Sequence, residues 1–177
     1  IGAEMAKIFA ARGDTLGLVG RSEEKLAAVK AQLAGTGHET YALDVTDREA
    51  VYAAARDFES KGAVDTVIAN AGISIGVKTE YAEDIDVLER VYRTNVFAMA
   101  YTFHPFIEPM RQRGRGHFVG TGSGAGIRGL PGSEAYCSSK AAVISYLESL
   151  RNDVRKYGID VTTISPGFVR TPLTAKN

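Results

Sequence analysis

Apolar runs rich in β-branched residues alternate with stretches of helical period along the whole chain. That alternation limits the fold more than any other feature of the sequence. Strand-like runs occupy 15–19 (TLGLV), 39–45 (ETYALDV), 64–70 (VDTVIAN), 116–123 (GHFVGTGS) and 160–166 (DVTTISP). Helices are expected at 3–12, 23–34, 48–60, 84–110 and 134–157, the fourth bent or broken near Pro105. Ser22 suits the N-cap of the second helix and Thr46 or Asp47 that of the third, while Gly13, Gly35 and Gly158 close the first, second and last. Strands alternating with helices of this length predict an α/β fold, a doubly wound parallel sheet of Rossmann-like type with helices on both faces. The 177 residues fit a single dinucleotide-binding catalytic domain over 1–177.

Open sheets of this kind take ligands outside the carboxyl ends of their strands. Gly20, Arg21, Asp44, Asn70, Ser123, Pro166 and Gly167 all fall at such ends and are expected to line one crevice. The chain opens on Ile1–Gly2 and runs at once into a helix. A dinucleotide fold begins instead with a strand and a glycine turn, of which Gly2 would be the last glycine. The sheet is therefore expected to be incomplete at its N-terminal strand. An NAD site places a carboxylate about 20 residues after the glycines. Here the corresponding strand ends in Val19-Gly20-Arg21-Ser22. A guanidinium at that tip pairs with a 2′-phosphate in a fork geometry, which favours NADP(H) over NAD(H).

Composition excludes several classes of function. Basic and acidic residues balance at 21 each, so there is no basic footprint for nucleic acid. The Arg111, Arg113, Arg115 run reads as a solvated turn after a helix. No apolar stretch approaches the length of a membrane span. His38, His104 and His117 form no metal-ligand spacing. A single cysteine, Cys137, precludes an internal disulfide, and a reducing, cytoplasmic compartment is the expectation. Cys137 itself reads as a small core thiol.

Tyr136 and Lys140 stand four apart, on one face of one helix. Reducing a carbonyl requires a hydride on carbon and a proton on oxygen. A tyrosine can supply that proton, and a nearby ammonium favours the phenolate left behind. Ser123 lies at a strand exit before the flexible GAGIRGLPG loop. From there its hydroxyl can orient a substrate oxygen and stabilise developing charge on it.

These residues together resemble the short-chain dehydrogenase/reductase family in its classical form. The matching positions are Asp44 in LDVTD, Asn70-Ala71-Gly72, Asn95 in TNVFA, Ser123, Tyr136-Cys-Ser-Ser-Lys140, and Pro166-Gly167 followed by Thr171. Gly2 is all that stands for the family's glycine turn, and the family's chains run longer, so the resemblance also implies a fold incomplete in its C-terminal region. The resemblance implies that Asn95, Ser123, Tyr136 and Lys140 are catalytic, with Asn95 holding a water in a proton relay with Lys140. It implies that Asp44 meets the adenine, and that Asn70, Ala71 and Gly72 pass under the adenosine ribose. On the same resemblance Lys140 is expected to hold the nicotinamide ribose, Pro166, Gly167 and Thr171 to meet the nicotinamide and its carboxamide, Val169 to line the pocket, and Arg21 to mark the NADP-preferring subgroup. The resemblance also implies a homodimer or homotetramer.

The expected function is an NADP(H)-dependent oxidoreductase acting on a small-molecule carbonyl or alcohol, a 3-oxoacyl-carrier-protein reductase being one specific form. A nucleotide-binding regulatory or scaffold protein and a sugar-nucleotide epimerase are the competing classes. Ile73, Ile75, Ile127, Leu130, Phe168 and Leu173 suggest an apolar pocket. Phe97, Met99, Phe103, Phe106, Ile107 and Met110 have the spacing of core or subunit packing rather than of a ligand groove, and Leu147 and Leu150 fit packing as well.

Overall fold

A computed structural model of the chain describes residues 1–78 and 80–169. The chain forms two compact units, the first spanning Ile1–Ala63 and the second beginning at Val64.

The first unit runs α1 (Gly2–Ala11), β1 (Gly17–Gly20), α2 (Glu23–Lys30), β2 (Glu39–Ala42) and α3 (Arg48–Lys61). Strands β1 and β2 pair in parallel, Gly17 opposite Glu39 and Gly20 opposite Ala42. A parallel pair needs a crossover, and α2 provides it. Ser22 Oγ accepts from the Lys25 N–H and so caps α2. Asp47 Oδ1 accepts from the Ala50 N–H and settles the cap of α3 in favour of Asp47 over Thr46. Helix α2 ends at Lys30 rather than at 34. Its last turns tighten, with Gln32 N donating to Val29 O and Leu33 N to Lys30 O. Buried His38 then bridges two segments, accepting from Leu16 N at Nδ1 (3.2 Å) and meeting Ala34 O at Nε2 (2.8 Å). An N–H can only donate, so Nδ1 is the acceptor and Nε2–H donates to Ala34.

The second unit contains β3 (Thr66–Ala69), α4 (Asp84–Tyr92), a π-helical turn (Arg93–Phe97), α5 (Ala98–Arg113), β4 (Gly116–Thr121), α6 (Glu134–Val154) and β5 (Ile159–Ile164). Among the described residues its three strands are all parallel, in the order β3-β4-β5. Phe103 on α5 and Phe118 on β4 stack with ring centres 4.9 Å apart and are both fully buried. Met110, Val143, Leu147 and Ile159 complete that core. Both helices lie close on β4 because glycines face them. A Cβ at Gly116 would sit 2.3 Å from Met110 Sδ, and one at Gly120 would sit 2.5 Å from Leu147 Cδ1.

Two expectations need correction. The helix over 84–110 is interrupted at Arg93–Phe97, while α5 continues through Pro105 and Pro109 to Arg113. The extra residue of a π turn is absorbed by an i→i+5 bond, here Ala98 N to Arg93 O. The arginine run is also more than a solvated turn. Gly114 adopts a left-handed conformation (φ 68°) that ends α5, and Arg113 Nη2 donates to Val64 O at 2.7 Å. Arg111 is fully engaged with Glu108, and Arg115 lies 3.4 Å from Asp65. Met99, Phe103, Phe106, Met110, Leu147 and Leu150 are buried within this unit, while Phe97 is half exposed. Among the described residues no helix is long and apolar enough to cross a membrane.

Candidate active site

In the second unit the candidate residues are spread over several elements. Asn70, Ala71 and Gly72 follow directly from β3, Asn95 sits in the π turn, and Tyr136 and Lys140 occupy the first turns of α6. Asn95 is 0% exposed. Its Oδ1 accepts from Ile73 N at 2.8 Å. Its Nδ2 donates to Ile73 O and to Ser139 Oγ, both at 3.0 Å. Both amide hydrogens are thus used, which a fully buried amide requires.

Lys140 is buried to 4% exposure, and its Nζ donates to Thr121 O at 2.7 Å. Burial pushes this ammonium down to about 8 from its ordinary 10.5. Nζ lies 5.9 Å from the centre of the Tyr136 ring, within range for a favourable cation–π contact. Gly72 fits between these groups. A Cβ there would stand 3.3 Å from Asn95 Oδ1 and 3.5 Å from Lys140 Nζ. Close approach to Asn95 and Lys140 is the visible reason for glycine at 72. Asn70 is half-buried and Ala71 exposed, and neither belongs to the Asn95–Ser139 network.

Ser123 is extended (φ −166°, ψ 150°) and caps the short 3-10 turn Gly124–Gly126. Its Oγ accepts from Ala125 N at 3.2 Å, which leaves the hydroxyl proton for a substrate oxygen. The turn is pressed onto α6, since a Cβ at Gly126 would come within 2.8 Å of the Lys140 carbonyl carbon and oxygen. Gly124 N donates to Pro166 O at 3.1 Å, so the segment after β5 is tied to the Ser123 turn. Gly167 and Val169 follow it and are exposed. Thr171 and Leu173 lie outside the described residues.

In the first unit Gly2 opens α1. Arg21 follows β1 and Asp44 follows β2, and the strand pairing extends to them through Leu43 N donating to Gly20 O. Asp44 Oδ1 accepts from both the backbone N–H (2.9 Å) and the hydroxyl (2.8 Å) of Thr46. The Thr46 N–H is the larger influence holding the Asp44 carboxyl below its usual range. Burial opposes it, and the Thr46 hydroxyl and the Arg21 guanidinium add to it. Both Arg21 and Asp44 are exposed.

Sequence spacing does not single out Ser139, the Thr121 carbonyl or Gly126, and it points to Ile73 only as apolar pocket lining. Ser139 lies inside the Tyr136–Lys140 segment, and the turn glycine is visible in GAGIRGLPG. The other two act through main-chain atoms, whose partners no side-chain pattern encodes.

The family model for short chain dehydrogenase matches residues 1–177. An uncharacterized oxidoreductase of Myxococcus xanthus is 39% identical over 180 residues, covering 100% of this chain and 71% of its own length. The solved structure of ElxO with NADP bound has a TM-score of 0.89 at 26% identity, covering 99% of this chain and 72% of that one. NAD+-bound xylitol dehydrogenase has a TM-score of 0.85 at 28% identity, covering 98% and 69%.

Proposed function

The chain belongs to the short-chain dehydrogenase family, and from that premise we propose that it moves a hydride between NADP(H) and a carbonyl or secondary alcohol with Tyr136 as acid and base. The observation that carries this reading is the buried Lys140 ammonium, 5.9 Å from the Tyr136 ring centre, on a helix riveted to Asn95.

The donor set fits a nicotinamide dinucleotide. Among the described residues the three donors of Lys140 meet one acceptor, Thr121 O, so two remain for a ribose diol. Exposed Arg21 offers the fork that a 2′-phosphate takes, in keeping with the NADP bound to ElxO. NAD(H), bound by xylitol dehydrogenase, is the competing cofactor. The proposal assigns Gly2, Arg21, Asp44, Asn70, Ala71, Gly72, Pro166, Gly167 and Thr171 to cofactor contacts. When bound, the nicotinamide supplies or accepts the hydride.

The remaining steps belong to the side chains. In reduction Ser123 donates its free hydroxyl proton in a hydrogen bond to the substrate oxygen and holds it. Tyr136 then protonates that oxygen, and the Lys140 ammonium stabilises the phenolate left behind. Asn95 keeps the π turn and α6 in register. In oxidation Tyr136 takes the proton back. Ile127 (81% exposed), Leu130 (48%) and Phe168 (102%) beside the Ser123 and Pro166 segments favour an apolar carbonyl over a sugar phosphate.

The test follows NADPH absorbance with ketones, aldehydes, quinones and 3-oxoacyl thioesters, beside Tyr136→Phe. Turnover that Tyr136→Phe abolishes supports the reading. Tight NADPH binding without turnover on any substrate moves it to the regulatory alternative, and a tenfold preference for NADH removes the role of Arg21.

A further inference from the structure

We propose that Ser139 is a positioning residue of the catalytic tetrad, which transmits the placement of Asn95 to the main chain of Tyr136. The proposal rests on the oxidoreductase reading above.

Ser139 is 0% exposed. Its hydroxyl has one proton and two acceptor sites. The proton goes to Tyr136 O at 2.8 Å, and Asn95 Nδ2 donates to the oxygen at 3.0 Å. One hydroxyl therefore links a side chain 44 residues away to the carbonyl of the proposed acid–base residue. The direction of the chain follows from its far end. Ile73 N can only donate, so Asn95 Oδ1 must face it. That leaves Nδ2 with two hydrogens, one for Ile73 O and one for Ser139.

The consequence for Tyr136 is geometric. A serine bonding back to the carbonyl three residues earlier alters the local helical turn. Here that turn carries both Tyr136 and Lys140. Without the hydroxyl, one amide hydrogen of fully buried Asn95 loses its acceptor. A buried donor does not stay unpaired at no cost, so Asn95 and the turn it braces must shift. Such a shift is felt in the chemical step more than in binding, because proton transfer depends steeply on placement.

The experiment compares wild type, Ser139→Ala, Asn95→Leu and the double variant, with Ser139→Thr as a hydroxyl-retaining control and Tyr136→Phe as a check on the underlying reading. Ser139→Ala is expected to lower kcat about tenfold while KM for NADPH and for the carbonyl changes less than about twofold. Ser139→Thr should recover part of kcat. In the Asn95→Leu background the same Ser139→Ala change should cost less than about twofold, because its partner is already gone. Urea unfolding of the four proteins measures the same coupling where turnover is too low, and non-additive midpoints are expected. Unchanged kcat in Ser139→Ala, a change confined to KM, or full additivity in both cycles overturns the proposal. Activity retained in Tyr136→Phe would instead refute the oxidoreductase reading on which it stands.

Discussion

Replacing Lys140 with methionine should make the cofactor-free protein more stable at neutral pH while removing its activity. The ammonium is 4% exposed and donates to one carbonyl, Thr121 O. Burial has moved it from 10.5 to about 8, and at about 1.4 kcal/mol per pH unit that fall costs the folded state about 3 kcal/mol. Methionine is unbranched, apolar and of similar length, so it fills the same channel. It gives up the bond to Thr121 O, worth about 1 kcal/mol. The net expected gain is about 1–3 kcal/mol, or roughly 2–10 °C in Tm for a chain of this size.

The sign with pH follows from the same shift. Between pH 8 and 10.5 the unfolded chain holds more protons at Lys140 than the folded one, so wild-type stability rises across that window. Below pH 8 both states are protonated and the cost is present in full. The advantage of Lys140→Met should therefore be largest at pH 7 and shrink towards pH 10. Burial, with help from Asp57, raises Tyr41 to about 12, so above pH 10 stability falls in both proteins and cancels in the difference. Urea unfolding of the two proteins at pH 7, 8.5 and 10 measures the effect. A variant less stable than wild type at pH 7, or a difference that does not change with pH, would refute the reasoning. Turnover should fall at least about a hundredfold in the same variant.

Two further outcomes are expected. Gly126→Ala forces a Cβ to within 2.8 Å of the Lys140 carbonyl, so the Ser123 turn must lift from α6. Steady-state kinetics should show kcat down about a hundredfold for a displacement near 1 Å, and kcat within threefold of wild type would count against this placement of Ser123. His38→Leu leaves the Leu16 N–H and the Ala34 carbonyl without their ring partners. It should destabilise the first unit by about 2–3 kcal/mol in urea unfolding, and a loss under about 0.5 kcal/mol would show that water replaces the imidazole.

Much was legible in the sequence because it is written in short-range spacing. Apolar, β-branched runs and stretches of helical period placed the strands and the α-helices, with errors confined to ends and to the π turn. Tyr136 and Lys140 share a face because they are four apart on a helix, whatever surrounds them. Ser123 and Pro166 could be placed at strand exits from local pattern alone. Arg21 and Asp44 could each be placed at a strand tip for the same reason, while their being neighbours rests on the pairing of β1 with β2 and the Leu43–Gly20 bond.

The tertiary structure decided what depends on distant partners. A π turn adds one residue to a helix without changing its apolar period enough to be read, so the inward turn of Asn95 was hidden. The role of Ser139 is set by a residue 44 positions away, and the same hydroxyl on a solvated helix would have none. Lysine is written identically whether it is charged in water or pressed to about 8 in a core. Thr121 on β4 accepts its hydrogen bond and Gly72 after β3 lies close to its ammonium, and neither is near it in sequence. Residue type and spacing carry the identity of the chemical groups. Their desolvation and alignment, which set how those groups ionise and react, arise only when separate segments pack.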